Sequence, residues 1–227
     1  MTNAPKNPQC IAFILDGNRR WAKERGLSAL EGHQAGMRTT ETIARACSKR
    51  GIPHTAIYVF STENWNRSAP EVTALLTLFE SSAKENAARF LAEGAAMRFV
   101  GQRDRLPPSL QATLSDIESK NPADPTQTLW VCISYGSRAE IAHAAREAAK
   151  EGGITEDSIG AHLWTAGMPN PDIIVRTGGE KRISNFLLWQ GAYAELFFVD
   201  TYWPDFTKED LDRIISEYQS RDRRIGT

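Results

Sequence analysis

The feature that most constrains this chain is an alternation. Six short apolar runs recur along 227 residues, most of them separated by a stretch with helical periodicity. Residues 10–15 (CIAFIL) form the first, continuous enough for a strand buried on both faces. Residues 54–61, 96–100, 127–134, 172–176 and 194–199 are the others. Helices are expected between them. One covers 31–50, with Ile43 and Cys47 on one face and Gly51 as its stop. A second opens at Ser68-Ala69-Pro70-Glu71, read as a capping box with Pro near the start, and runs to Gly94. Others follow Pro107-Pro108, open at a Ser137–Glu140 capping box and end at Gly152-Gly153, cover about 156–166, and open at Thr207. Strand–helix alternation of this kind predicts one α/β domain with a central, mainly parallel β-sheet flanked by helices. A single domain over 10–227 after a flexible N-terminus of 1–9 is the expected organisation.

In such sheets ligands bind outside the carboxyl ends of the strands, so the polar segments that follow the strands are where chemistry is sought. After the first strand comes Asp16-Gly17-Asn18-Arg19-Arg20-Trp21. An acid leaves the strand, a glycine allows close backbone approach, and two arginines enter a helix start, where free N–H groups favour anions. Asp16 would repel a phosphate unless a cation bridges them, and magnesium does so with one or two carboxylates plus phosphate oxygens. After the second strand comes Ser61-Thr62-Glu63-Asn64-Trp65-Asn66-Arg67. After the fifth comes Arg176-Thr177-Gly178-Gly179-Glu180-Lys181-Arg182-Ile183-Ser184-Asn185, an anion-binding loop by composition. The plain alternative for each is a capped turn or solvated polar loop, with Trp65 as a packing anchor. Neither a GxxxxGK[ST] loop nor a GxGxxG fingerprint is present. Three such segments on one sheet edge supply a metal-ready acid and two cationic clusters, which suits substrates carrying diphosphate.

Charge and composition exclude other classes. Lys plus Arg is 27 and Asp plus Glu is 28, a net charge of −1. A nucleic-acid binder would carry a basic excess, so no nucleic-acid partner is expected. Cys10, Cys47 and Cys132 form no CxxC pair and read as buried thiols of a reducing compartment. No apolar run nears the ~20 residues that span a bilayer, and Met1 to Gln9 lacks a signal-peptide layout. A cytoplasmic protein is expected.

The three post-strand segments, with Phe186-Leu187-Leu188-Trp189-Gln190, Tyr193-Ala194-Glu195-Leu196, Trp203-Pro204-Asp205-Phe206 and Arg223-Arg224-Ile225-Gly226, closely resemble the cis-prenyltransferases of the undecaprenyl diphosphate synthase type. The resemblance runs from about Ile11 to Gly226 with motif order kept, which makes it far more specific than one pattern. It implies that isopentenyl diphosphate condenses with an allylic diphosphate such as farnesyl diphosphate to give a Z-polyprenyl diphosphate, undecaprenyl diphosphate among the long products. It implies Mg2+ at Asp16, assisted by Glu195. Gly17, Asn18, Arg19 and Arg20 would surround the allylic diphosphate, with Trp21 beside them and Arg67 in support. Ser61, Glu63, Asn64 and Trp65 belong to the substrate-binding set, and Arg176, Arg182 and Ser184 would hold the isopentenyl diphosphate. Asn18, Ser61, His33 and the diphosphate itself are candidates for steering the proton that leaves, and no base is assigned. His33 has the alternative of a hydrogen-bonded structural group. A homodimer is implied, with Arg224 and Gly226 near the partner's site, as is peripheral membrane contact through a long product.

Leu75, Leu76, Phe79, Ile57 and Val59 could line a tunnel for the growing chain or simply form core. Several positions depart from the family pattern. Arg19 replaces a common glycine, Ala29 a common arginine, and Lys181 a histidine or aromatic. Met37 and Val59 are bulkier than usual beside the tunnel, which raises a short-chain product as an alternative. A magnesium phosphohydrolase would want a second acid where Asn18 stands. A non-catalytic partner subunit would lack Asp16. A trans-prenyltransferase would carry DDxxD, which is absent. A simple phosphate-binding module would show no turnover.

Overall fold

A computed structural model describes residues 7–221. Its six strands are β1 (Cys10–Ile14), β2 (His54–Ser61), β3 (Ala95–Val100), β4 (Gln127–Tyr135), β5 (Ile173–Arg176) and β6 (Glu195–Phe198). They form one sheet in the order β3-β4-β2-β1-β5-β6. Every pair is parallel, so the expected mainly parallel sheet is wholly so among the described residues. Among the described residues seven α-helices accompany it: α1 (Asn18–Glu24), α2 (Ala29–Lys49), α3 (Ala69–Ala92), α4 (Pro108–Ser119), α5 (Ser137–Lys150), α6 (Glu156–His162) and α7 (Lys208–Ser220).

Side-chain alternation along the buried strands divides the core in two. Ile11, Phe13, Ile57 and Val131 face the layer that carries α2, α3, α4 and α7. Ala12, Ile14, Ala56, Tyr58 and Cys132 face the other way and meet Phe186 and Leu187. The chain leaves β1 toward β2 on one side and returns to β5 on the other. The strand order therefore reverses at β1, and the crevice at its carboxyl end is the position where such sheets bind ligands.

Local chemistry corrects several expectations. The second helix starts at Ala29, capped by Ser28 in a full capping box with Glu31. Ser68 precedes α3, but its side chain makes no cap; Glu71 instead accepts from Arg67 at 3.1 Å. The Ser137–Glu140 pair is no capping box either. Gly136 is the N-cap, and Glu140 is wholly buried. Its carboxylate accepts from the Tyr135 hydroxyl, the Thr165 N–H and hydroxyl, and the Gln190 amide. The Thr207 cap is present, closed by Asp210. Part of the N-terminal segment 1–9 lies outside the described residues. Within the described part, Asn7 bonds the Arg50 carbonyl at 2.8 Å and the Gln9 N–H donates to Asp172 at 2.6 Å.

Candidate functional site

Asp16 stands two residues past β1, and its backbone is fixed before its side chain is. Its N–H donates to Thr177 Oγ1 at 3.0 Å, and its carbonyl accepts from the Thr177 hydroxyl at 2.7 Å and the Trp203 N–H at 3.0 Å. Gly17 follows with φ +105°, and a Cβ there would lie 2.6 Å from Tyr202 Cδ1. Only glycine turns the chain into α1 at this spot. The Asp16 carboxylate then accepts from the Gly17 N–H at 2.7 Å and from Arg176 at 2.9 Å, with Arg20 at 3.3 Å.

Arg176 ends β5 with its side chain 5% exposed. Besides Asp16 it donates to Ser184 Oγ at 2.7 Å and to the Arg182 carbonyl, and its Nε is buried without a partner. A buried guanidinium needs such pairing, and its free N–H is a ready donor. Ser184 sits in a contorted loop: Ser184, Asn185 and Leu187 have φ of 47°, 63° and 44°. Left-handed backbone at non-glycine residues persists only where surroundings enforce it, and it collects at functional sites. Here the enforcement is visible. Asn185 receives the Ser137 and Arg138 N–H groups and donates to Glu63, while the Leu188 N–H donates to Ser137. Gln190 is tied to the buried Glu140.

These groups open on a cleft of about 520 Å³ whose walls include Asp16, Asn18, His33, Ser61, Arg67 and Arg176. Glu63, Asn64 and Ser184 also line it. Nine of the residues singled out from the sequence thus converge. The inner end is apolar, with Met37, Val59 and Leu75. A larger hollow of about 920 Å³ opens beside β3 and α5, but it collects none of those residues.

Asn18 donates to the Leu15 carbonyl at 2.9 Å and leaves its amide oxygen buried and unpaired. Gly36 makes that possible, since a Cβ there would fall 2.1 Å from this oxygen. His33 Nε2 is likewise buried and unpartnered. Burial, then the Arg67 charge, lower its pKa to about 4, with Arg19 adding to the shift and Glu71 opposing it. The imidazole is therefore neutral at pH 7 and has a free ring nitrogen. Burial raises the Glu63 carboxyl, but hydrogen bonds, that from Asn185 foremost, outweigh it and leave the pKa lowered.

Other expected site residues lie apart. Trp21 donates to Asp205 at 2.7 Å, and Trp65 donates to Ser134 at 2.9 Å and packs on Phe60. Arg19 is 59% exposed and pairs with Glu71 at 3.5 Å; Arg182 is 61% exposed and pairs with Glu180. Both flank the cleft without lining it. Glu195 is not brought to Asp16. It starts β6 opposite Ile173, at the amino edge of the sheet, and its carboxylate is held by Arg221. Arg224 and Gly226 lie outside the described residues. Thr177, Asn185 and Glu140 are site supports that the sequence does not single out; Thr177 and Asn185 carry one signal, their place in the cationic loop with two glycines that follows β5.

The hard oxygens offered to a cation at this strand end are those of the Asp16 carboxylate. This fits magnesium, which takes one or two carboxylates and completes its shell with substrate phosphate and water. Among the described residues no group of three His, Cys, Asp or Glu forms a self-contained metal cage.

Comparison with known proteins identifies relatives over nearly the whole chain. The family model described as "Putative undecaprenyl diphosphate synthase" matches residues 14–226. An isoprenyl transferase of Geobacter sulfurreducens is 41% identical, covering 97% of this chain and 93% of its own. The ditrans,polycis-undecaprenyl-diphosphate synthase ((2E,6E)-farnesyl-diphosphate specific) of Pseudomonas putida is 40% identical, covering 96% and 90%. Among solved structures, lavandulyl diphosphate synthase from Lavandula x intermedia, in complex with dimethylallyl diphosphate, superposes with a TM-score of 0.93 at 33% identity, covering 97% and 99%. A probable undecaprenyl diphosphate synthase from Campylobacter jejuni gives 0.85 at 29% identity, covering 98% and 100%.

Proposed function

The chain belongs to the undecaprenyl diphosphate synthase family of cis-prenyltransferases, and on that premise we propose that it joins isopentenyl diphosphate to farnesyl diphosphate and repeats the addition to undecaprenyl length. The observation that carries this reading is the Asp16–Arg176–Ser184 array at the head of a cleft whose inner end is apolar. One end suits diphosphates, the other hydrocarbon.

Arg176 and Ser184, with Arg182 at the rim, hold the isopentenyl diphosphate through charge-assisted hydrogen bonds. Asp16, the Gly17 turn, Arg19, Arg20 and Arg67 hold the allylic diphosphate. Asp16 would carry magnesium, which when bound supplies positive charge to the diphosphate. Substrate oxygens complete that set, since Glu195 of the same chain lies at the other edge. The reaction forms a bond between C1 of the allylic substrate and C4 of the isopentenyl unit. The C1–O bond breaks with its electron pair leaving on diphosphate, and a proton leaves C2 to make the new cis double bond. Positioning the two carbons is the cleft's main contribution, and the arginines stabilise the departing charge. Asn18, Ser61, His33 and the diphosphate are the candidates for steering the departing proton; among the side chains His33 offers a neutral imidazole with an unpaired nitrogen.

A homodimer is part of this proposal. Leu188, Tyr193 and Leu196, in or just before the edge strand β6, are 37%, 72% and 40% exposed. An open strand edge beside apolar side chains favours a partner. No described helix is long and apolar enough to cross a membrane; a cytoplasmic enzyme touching the bilayer through its product is proposed.

One observation favours a short-chain product instead. Beyond Met37 and Val59 the apolar hollow measures only about 40 Å³. The deciding experiment incubates the protein with magnesium, farnesyl diphosphate and labelled isopentenyl diphosphate and sizes the products. A ladder ending near eleven isoprene units, lost in Asp16→Ala, is expected. Absence of incorporation with any allylic starter, or phosphate release from simple esters, would defeat the reading.

A further inference from the structure

The segment after β2 has little of its own to hold it in place. Ser61, Glu63, Asn64 and Arg67 line the cleft, yet the chain between Ser61 and Arg67 makes one 3-10 turn, Thr62–Asn66, in which no residue is buried. Its internal bonds are local. The Asn64 side chain accepts from the Ser61 N–H at 3.1 Å, and the Arg67 N–H donates to the Asn64 carbonyl at 3.1 Å. A turn with so few buried contacts keeps its place only where side chains tie it to the framework. Besides the Arg67–Glu71 pair with the helix that follows, two ties reach outward. Glu63 accepts from Asn185 at 2.9 Å, which joins the turn to the Ser184 loop. Trp65 makes the other.

Beneath Trp65 the sheet departs from regularity. Phe60 pairs with Ile133 and Ser61 with Tyr135, so Ser134 is an extra residue on β4, a bulge. Side-chain alternation breaks there, since Cys132 and Tyr135, three apart, face the same core layer. Ser134 is wholly buried and has φ 49°. Left-handed backbone at a serine persists only where its surroundings impose it. Here the chain after β3 imposes it. Gly101 has φ +136°, and a Cβ on it would lie 2.0 Å from the Ile133 carbonyl oxygen, so only glycine permits this approach. The Gln102 N–H then donates to the Ser134 carbonyl at 3.0 Å. The Ser134 hydroxyl is left to accept from the Trp65 indole N–H at 2.9 Å. The same loop covers the indole: the Arg105 guanidinium stands 4.9 Å from the ring centroid, and Phe60 meets the ring edge-on at 5.1 Å. Gln102 accepts from Arg105 at 3.2 Å and steadies it. Neither Ser134 nor Arg105 lines the cleft.

We propose that Ser134 and Arg105 are positioning residues that, through the Trp65 ring, set where Arg67 stands at the allylic end of the cleft. The inference rests on the chain-elongation reading above. The bulge has a use in it, because it aims a buried hydroxyl at the turn. The Glu63–Asn185 tie serves the Ser184 loop, so loosening Trp65 acts on the allylic side first.

The test compares Arg105→Ala, Arg105→Lys and Ser134→Ala with the parent, varying each substrate in turn while labelled isopentenyl diphosphate is incorporated. Arg105 is exposed, so its replacement spares the fold, and thermal melting checks this. In Arg105→Ala and Ser134→Ala, KM for farnesyl diphosphate should rise roughly tenfold while KM for isopentenyl diphosphate stays within about twofold and kcat falls less. Arg105→Lys keeps a cation over the ring and should restore most of the loss. A second comparison removes the intermediary: in Trp65→Leu, adding Arg105→Ala should move neither KM further. A fall in melting temperature with both KM values unmoved, or moved together, overturns the proposal, as does an independent effect of Arg105→Ala in Trp65→Leu. Should Ser134→Ala not fold, the two Arg105 variants decide alone. If the parent elongates and Arg105→Ala keeps both KM values, only this inference fails. If the parent incorporates nothing, the elongation reading fails with it.

Discussion

Asp16 shows how much chemistry one residue inherits from its neighbours. Its carboxylate is aimed by Gly17 and Arg176, and its backbone by Thr177. His33 shows the same for charge, since burial and the nearby arginines hold it neutral. Unfolded, it takes a proton near 6.5; folded, near 4. Between those values the unfolded chain binds more protons, so His33 removes stability as pH falls from about 6.5 toward 4. The loss is on the order of 2 kcal/mol after allowing for partial exposure. Melting temperature measured against pH should fall less steeply over that window for His33→Gln than for the parent; equal slopes would contradict the assignment. Glu140 acts at a distance from the cleft. Glu140→Gln replaces one acceptor oxygen with an NH2 donor that faces the donors of Tyr135, Thr165 and Gln190. The cost is about 2–3 kcal/mol, a fall of roughly 5–10 °C in Tm. Because Gln190 ends the Ser184 loop, KM for isopentenyl diphosphate should rise more than kcat falls, with Glu140→Asp partly restoring it.

At the scale of elements, the site depends on how closely α1 approaches α2. Gly32 and Gly36, one turn apart on α2, receive the Asn18 carbonyl and amide oxygens. A Cβ would stand 2.2 Å and 2.1 Å from those atoms. Gly32→Ala therefore pushes α1 away by its backbone, at roughly 1–3 kcal/mol. Gly36→Ala displaces the Asn18 side chain and presses more lightly on the Trp203 ring, 3.1 Å away. Thermal melts and steady-state kinetics should separate the two: the first loses stability and activity together, the second mainly activity. Unchanged kinetics in Gly36→Ala would remove Asn18 from the mechanism. The helix ends teach a related lesson. Ser68 and Ser137 carry capping-box spacing, yet neither caps. Spacing creates the opportunity, but Glu71 is drawn to Arg67 and Glu140 into the core.

For the whole molecule, the proposed homodimer would use the open edge at β6. Sedimentation should find a dimer at micromolar concentration, and Leu196→Glu should shift it toward monomer by burying a charge in the apolar contact. A monomeric parent would rule the dimer out.

Much of this was legible beforehand. Apolar runs of strand length alternating with amphipathic stretches admit few arrangements, because each apolar face must be buried and parallel strands need crossovers. That logic determined the parallel sheet, the edge where chemistry gathers, and most of the residues in the cleft, since a polar group just past a strand's end has little choice of location. Long-range packing decided the rest. No local pattern says that Glu140 turns inward, that Trp21 and Trp65 donate to Asp205 and Ser134, or that Glu195 begins its strand at the far edge from Asp16. Each depends on which distant segment lies opposite, and that is settled only when the sheet order and helix crossings bring residues far apart in the chain into contact.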